Sequence, residues 1–121
     1  MVDFDKRGRE VFKKLFGDEA ENIDAMLKEM SPDLAKIAID FPFGEFYAKD
    51  DLLDLKTREL ITISTLTTQG MAPQLKLHVK AALNAGCSVV EIEQTILQLI
   101  AYIGMPKVIN AMKVFKEVVA E

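Results

Sequence analysis

The chain has 121 residues, of which 50% are hydrophobic and 28% charged, and this is the size and composition of one folded domain rather than of a disordered segment. Its 15 basic and 19 acidic residues give a net charge of −4, which argues against nucleic acid as a partner, because surfaces that bind nucleic acid are basic. No apolar run reaches the roughly 18 residues of a membrane span, and with no signal peptide visible and a single cysteine we expect a cytoplasmic protein without a membrane partner.

Helical periodicity dominates the N-terminal half, and the signals of β-hairpins are missing. The first predicted helix ends at Gly17, and a short second helix follows it. Ser31 and Pro32 predict the start of a third helix, because serine is a favoured N-cap and proline is favoured in the first turn. Pro42 and the glycine two residues after it are expected to end or kink this helix. The aromatic stretch at residues 43–51 fits a broken helix or a lid.

Glycine and proline divide the C-terminal half into four further helices, with boundaries at Gly70, Pro73, Gly86, Gly104 and Pro106. Gly86 is expected in the C′ position, where helices commonly end on glycine. Ser88 and Glu91 have the spacing of a capping box. The sequence therefore predicts an all-α fold of six or seven helices joined by short turns, in one domain over residues 1–121.

Two polar residues fall within apolar helical stripes. Glu59 shares a stripe with Leu55, Ile63 and Leu66, and a carboxylate there must be paired, hydrogen-bonded or protonated. His78 shares a stripe with Leu75, Ala82 and Ala85. Adjacent antiparallel helices can bring the two side chains together, and such a pair suits acid–base catalysis near neutral pH. Arg58 points about 100° around the helix from Glu59 and can bind a substrate carboxylate or brace a subunit contact.

Each of these residues also has a purely structural interpretation. A histidine at helical spacing is more often a core residue than a catalyst, and a buried glutamate can simply hydrogen-bond a helix end.

Cys87 is expected to be a small buried hydrophobe without a resolving partner. One histidine cannot supply a multi-histidine zinc site, so no metal is expected. The hydrophobic fraction is slightly rich for a monomer and favours a homo-oligomer over an ordinary well-filled core.

Four motifs together resemble the carboxymuconolactone decarboxylase family of the AhpD-like superfamily: LDLKTREL at 53–60, HVKAALNAG at 78–86, Glu91-Ile92, and YIGMP at 102–106. The resemblance covers nearly the whole chain, with its core at about residues 53–111. It implies an AhpD-like orthogonal helical bundle that assembles as a homo-oligomer, a trimer or a hexamer. Glu59 and His78 match the glutamate and histidine of the family's proton relay.

The family has two main chemical branches. One decarboxylates 4-carboxymuconolactone to the enol-lactone of 3-oxoadipate in aromatic breakdown, without a cofactor. The alkylhydroperoxidase branch uses a Cys-x-x-Cys pair, whose positions here hold Met71 and Gln74. Since neither side chain can act as a thiolate, the resemblance implies the branch that lacks this pair.

Our leading hypothesis is a cofactor-independent decarboxylase of the 4-carboxymuconolactone type, acting on a small-molecule substrate. His78 would deliver the proton, Glu59 would set its tautomer and charge, and Arg58 would hold a substrate carboxylate or the developing oxyanion. The candidates for an apolar pocket wall are Phe43, Phe46, Tyr47 and Tyr102. Two alternatives are an alkylhydroperoxidase or peroxiredoxin-like oxidoreductase using Cys87 alone, and a non-catalytic helical oligomer.

Overall fold

A computed structural model of the chain describes residues 3–121. All regular secondary structure within these residues is helical, which confirms the predicted all-α fold of the AhpD-like type. The chain forms two compact units, one ending at Leu55 and the other running from Lys56 to Glu121, and each is described by itself. The assignment of residues 1–121 to one domain stays a prediction. None of the described helices is long and apolar enough to cross a membrane.

The first unit contains three helical stretches. Helix α1 spans Arg7–Phe16, a short 3₁₀ turn spans Gly17–Glu19, and α2 spans Ala20–Met30. Helix α3 begins at Pro32–Ala35 and continues through the π-helical segments Lys36–Asp40 and Phe43–Tyr47. The Ser31 hydroxyl accepts the Leu34 N–H at 3.3 Å, which confirms the predicted N-cap.

The chain stays helical through Pro42, so of the two predicted outcomes, a helix end or a kink, the helix end is wrong. Proline lacks an N–H, and its ring crowds the carbonyl one turn earlier, but π turns on both sides widen the helix around it. The second of these turns is closed by the Ala48 N–H, which donates to the Phe43 carbonyl at 2.8 Å. Both glycines of this contact are required by packing, because a Cβ on Gly8 of α1 would overlap the Gly44 backbone and a Cβ on Gly44 would lie 2.9 Å from the Asp5 carbonyl oxygen.

Aromatic side chains form much of the interior of this unit. The Phe43 ring lies at centroid distances of 5.2 Å from Phe12, 5.8 Å from Phe16 and 4.8 Å from Tyr47. The first two pairs meet edge to face, an arrangement that the ring quadrupoles favour. Phe43 and Tyr47 of the aromatic stretch after Pro42 therefore pack inside the unit to which they belong.

Five helices make up the remaining part of the chain. They are α4 Leu55–Gln69, α5 Ala72–Asn84, α6 Val89–Gln98, α7 Ile100–Ile103 and α8 Met105–Val119. Gly86 follows the C-cap of α5 with φ +100°, as predicted for a C′ residue. The single helix predicted between Ser88 and Gly104 is instead divided at Leu99 into α6 and α7.

The predicted capping box of α6 is present. The Ser88 hydroxyl accepts the Glu91 N–H at 3.0 Å, and the Glu91 carboxylate accepts the Ser88 N–H at 2.8 Å. This Ser88 N–H, with the Lys56 ammonium nearby, lowers the pKa of Glu91. The cap therefore holds α6 in place when this carboxylate is ionised.

The core of the second unit gathers apolar side chains from α4, α5, α6 and α8. Its fully buried members include Ile63, Val79, Ile92 and Ile96, each with no exposed surface. Burying an isoleucine or valine side chain contributes about 1.5–3 kcal/mol. Ile63 lies one helical turn after Glu59 on α4, so this core is the environment in which the predicted acid–base pair is found.

Candidate acid–base site in the second unit

Glu59 of α4 and His78 of α5 are in direct contact. The Nδ1 atom of His78 lies 2.7 Å from the Oε1 atom of Glu59, a short distance typical of a charge-assisted hydrogen bond. The prediction that the two helices bring these side chains together is confirmed. Each residue is held by a regular helix, so the pair rests on rigid elements rather than on loops.

The two members of the pair differ in exposure. The Glu59 side chain has no exposed surface, whereas 19% of the His78 side chain is exposed. The fully buried positions of α5 near His78 are Val79, Ala81 and Ala82. His78 therefore lies at the edge of the buried face, and this position gives its ring access to solvent that Glu59 lacks.

The contact with Glu59 determines how the imidazole can act. When Glu59 is ionised, its carboxylate only accepts hydrogen bonds, so in that state the Nδ1–H of His78 is the donor. In the neutral ring the lone pair is then on Nε2, and in the protonated ring Nε2 carries a proton. A histidine oriented in this way can accept or deliver one proton at a defined atom.

The second carboxylate oxygen of Glu59 has no hydrogen-bond partner. Oε2 is buried and unpaired within the described part of the chain, although buried polar atoms in native structures almost always have a partner. Such an atom costs stability.

Arg58 is half-buried on α4, immediately before Glu59. Because successive residues of a helix are about 100° apart, its guanidinium leaves the helix on a different face from the Glu59 carboxylate. Its predicted role toward a substrate carboxylate stays a prediction.

The predicted pocket-wall residues have different environments. Phe43 and Tyr47 are buried within the first unit, and Phe46 is half-exposed beside Phe41 in the same unit. Tyr102 belongs to α7 of the second unit and is 83% exposed. Tyr102 therefore needs a second surface to cover it before it can line a pocket. The assignment of all four residues to a pocket wall stays a prediction.

Cys87 is buried between α5 and α6. Only 5% of the residue is exposed, and its thiol donates to the Lys56 carbonyl at 3.6 Å. This burial confirms the expected small hydrophobe and argues against the single-cysteine oxidoreductase, because reactive thiols are accessible and have depressed pKa values. The two positions of the peroxidase cysteines, Met71 and Gln74, are exposed.

We expect native Cys87 to resist labelling by an aromatic disulfide reagent, because the reagent must reach the buried sulfur. The rate of thiol release should rise at least about 100-fold in denaturing urea, where the thiol is accessible. Absorbance of the released thiolate measures both rates. Labelling of the folded protein as fast as of the unfolded chain would contradict the burial and reopen the thiol-based alternative.

Within residues 3–121, no group of three or more histidine, cysteine, aspartate or glutamate side chains could hold a metal ion.

One buried polar residue of α4 could not be identified from the sequence pattern. Thr67 is only 1% exposed and lies one turn beyond Ile63 on the stripe of Glu59. The predicted stripe continues through Leu66, which is half-buried, whereas the four-residue spacing from Glu59 and Ile63 leads to Thr67.

Comparison with known proteins agrees with the motifs. The profile of the Carboxymuconolactone decarboxylase family matches residues 32–117. The 4-carboxymuconolactone decarboxylase of Acinetobacter baylyi is 30% identical over 114 residues, covering 93% of this chain and 84% of that protein. An uncharacterized 15.0 kDa protein of Paracoccus denitrificans is 32% identical over 111 residues, covering 89% of this chain and 82% of that protein.

A eukaryotic relative is longer. Peroxisomal protein 2 of Schizosaccharomyces pombe is 32% identical over 87 residues, which are 72% of this chain. The matched region spans 41% of that protein's length. The similarity therefore concerns one part of the yeast protein.

Proposed function

This chain belongs to the carboxymuconolactone decarboxylase family, and on this basis we propose that it is a decarboxylase of the 4-carboxymuconolactone type that uses no cofactor. Its substrate in this proposal is a carboxylated unsaturated lactone, and its products are an enol-lactone and CO₂. The observation that carries the proposal is the fully buried Glu59 carboxylate on the Nδ1 atom of His78. This pair supports a proton donor of defined tautomer.

The reaction requires one proton and no oxidant. The bond between the carboxylate carbon and the lactone breaks, CO₂ leaves, and the electron pair spreads into the unsaturated lactone as an extended enolate. The protonated His78 then delivers its Nε2 proton to carbon, and the neutral ring takes a proton from solvent. The exposed part of the His78 side chain supports this return step, and the Glu59 carboxylate stabilises the imidazolium.

The remaining roles follow from charge and polarity. Arg58 would hold a carboxylate of the substrate or the oxygen on which the enolate charge develops. Tyr102 would form part of an apolar wall that favours loss of a charged carboxylate. The exposure of Tyr102 supports a site completed by a second copy of the chain, and we propose a cytoplasmic homo-oligomer, a trimer or a hexamer.

We expect the purified wild-type protein to consume 4-carboxymuconolactone and to release CO₂ in equal amount. Without added metal or cofactor, loss of the substrate and release of CO₂ are followed together. The Lys113→Gln variant, altered on the exposed face of α8, serves as the matched control and should have wild-type activity. Absence of turnover by a protein that circular dichroism and light scattering show to be folded and oligomeric would contradict this substrate assignment.

A further inference from the structure

A small cavity lies in the second unit, where the end of α4, the start of α5 and the first half of α8 meet. Its volume is about 20 Å³, and its lining includes Leu66, Thr67, Met71, Leu75, Lys107 and Asn110. Thr67 lies two helical turns after Glu59 on α4, about 12 Å along the helix axis. The acid–base pair does not line this cavity.

The Thr67 hydroxyl is the buried polar group of this cavity. Thr67 is 1% exposed, and its Oγ1 has no hydrogen-bond partner within residues 3–121. Other hydroxyls of α4 donate to the carbonyl one turn earlier: Thr62, Ser64, Thr65 and Thr68. Thr67 does not use this local partner, which every helical threonine has within reach, and it lines the cavity instead.

The mouth of the cavity carries a positive charge without a counter-ion. Lys107, in the first turn of α8, makes no ion pair with any other described residue. Its ammonium nitrogen lies 3.9 Å from the position that a Cβ on Gly70 would occupy, which places the charge over the cavity rim. Asn110, one turn further along α8, adds an amide, and no acidic side chain lines the cavity. This set of groups favours an anion.

We propose that this cavity binds the carboxylate group of a small organic acid. A volume of this size accommodates about one water-sized group, so one carboxylate oxygen enters and accepts from the Thr67 hydroxyl. The second oxygen stays at the mouth beside the Lys107 ammonium, and the rest of the acid lies outside. The donors, the charge and the apolar walls each have a function in this arrangement, and the site is independent of the proposed decarboxylation.

Sodium acetate is the probe that tests this site in the intact protein. Amide resonances of Thr67, Gly70 and Asn110 are followed by NMR during a titration, with sodium chloride at matched ionic strength as the reference. We expect saturable shifts with acetate that chloride does not produce. The Thr67→Val variant keeps the side-chain shape and loses the hydroxyl, so its affinity for acetate should fall about tenfold or more, the effect of a hydrogen bond to a charged group.

Two further variants show whether a loss of acetate affinity comes from the missing hydroxyl, from the missing charge or from a change of fold. Thr67→Ser keeps the hydroxyl and should bind acetate, and Lys107→Gln should bind it about threefold more weakly, as expected for an exposed charge. Lys113→Gln, on the same helix outside the cavity, should bind like the wild type. Equal acetate affinity in Thr67→Val, or an equal saturable response to chloride, would overturn the carboxylate site.

Discussion

Replacing His78 with alanine is expected to lower kcat/KM for 4-carboxymuconolactone by about 10²- to 10⁴-fold, the usual contribution of a positioned acid or base. The variant keeps the buried Glu59 carboxylate but loses the imidazole that contacts it. Since no other histidine occurs in the chain, no second imidazole can replace it. Initial rates of substrate loss at several concentrations give kcat and KM for both proteins.

Glu59→Gln separates the charge of the carboxylate from its shape. The amide oxygen can still accept from the His78 Nδ1–H, but the negative charge that stabilises the imidazolium is lost, so activity should fall as well. Because the two residues act as one unit, the double variant should be no slower than His78→Ala alone. Additive losses, or a His78→Ala variant with near wild-type kcat, would show that the pair does not deliver the proton.

Features that depend on local chemistry could be predicted from the sequence. Ser31 caps α3, Gly86 ends α5 and the Ser88–Glu91 box starts α6 as expected, because each signal acts within one helical turn. The contact between Glu59 and His78 followed from stripe spacing on two neighbouring helices. The motifs that carried the resemblance also led to the correct family.

Features that depend on packing between distant segments could not be predicted. Pro42 predicted a helix end or a kink, but the helix continues through it by π turns, beside the close approach of Gly8 and Gly44. The partial exposure of His78 depends on which helices cover α5. The cavity beside Thr67 forms only where α8 packs against α4, and no residue near Thr67 in sequence indicates it.

The His78→Ala variant should also be less stable than the wild type, by about 3 kcal/mol in the free energy of unfolding at pH 7. Glu59 is fully buried and its Oε2 already lacks a partner, so the substitution leaves both carboxylate oxygens unpaired. Removing one partner of a buried charge pair typically costs about 3–5 kcal/mol, and the partial exposure of His78 places this variant at the lower end. Urea unfolding followed by circular dichroism measures the difference.

Two variants show whether the loss comes from the carboxylate or from packing. His78→Asn supplies an amide N–H that can donate to Glu59, so it should lose less stability than His78→Ala. The double variant with Glu59→Gln should recover most of the loss, because no buried charge remains. Leu77→Ala, at a half-buried position beside His78 on α5, serves as the packing control. If the double variant recovers none of the loss, the loss comes from packing, as in Leu77→Ala, and not from an unpaired carboxylate.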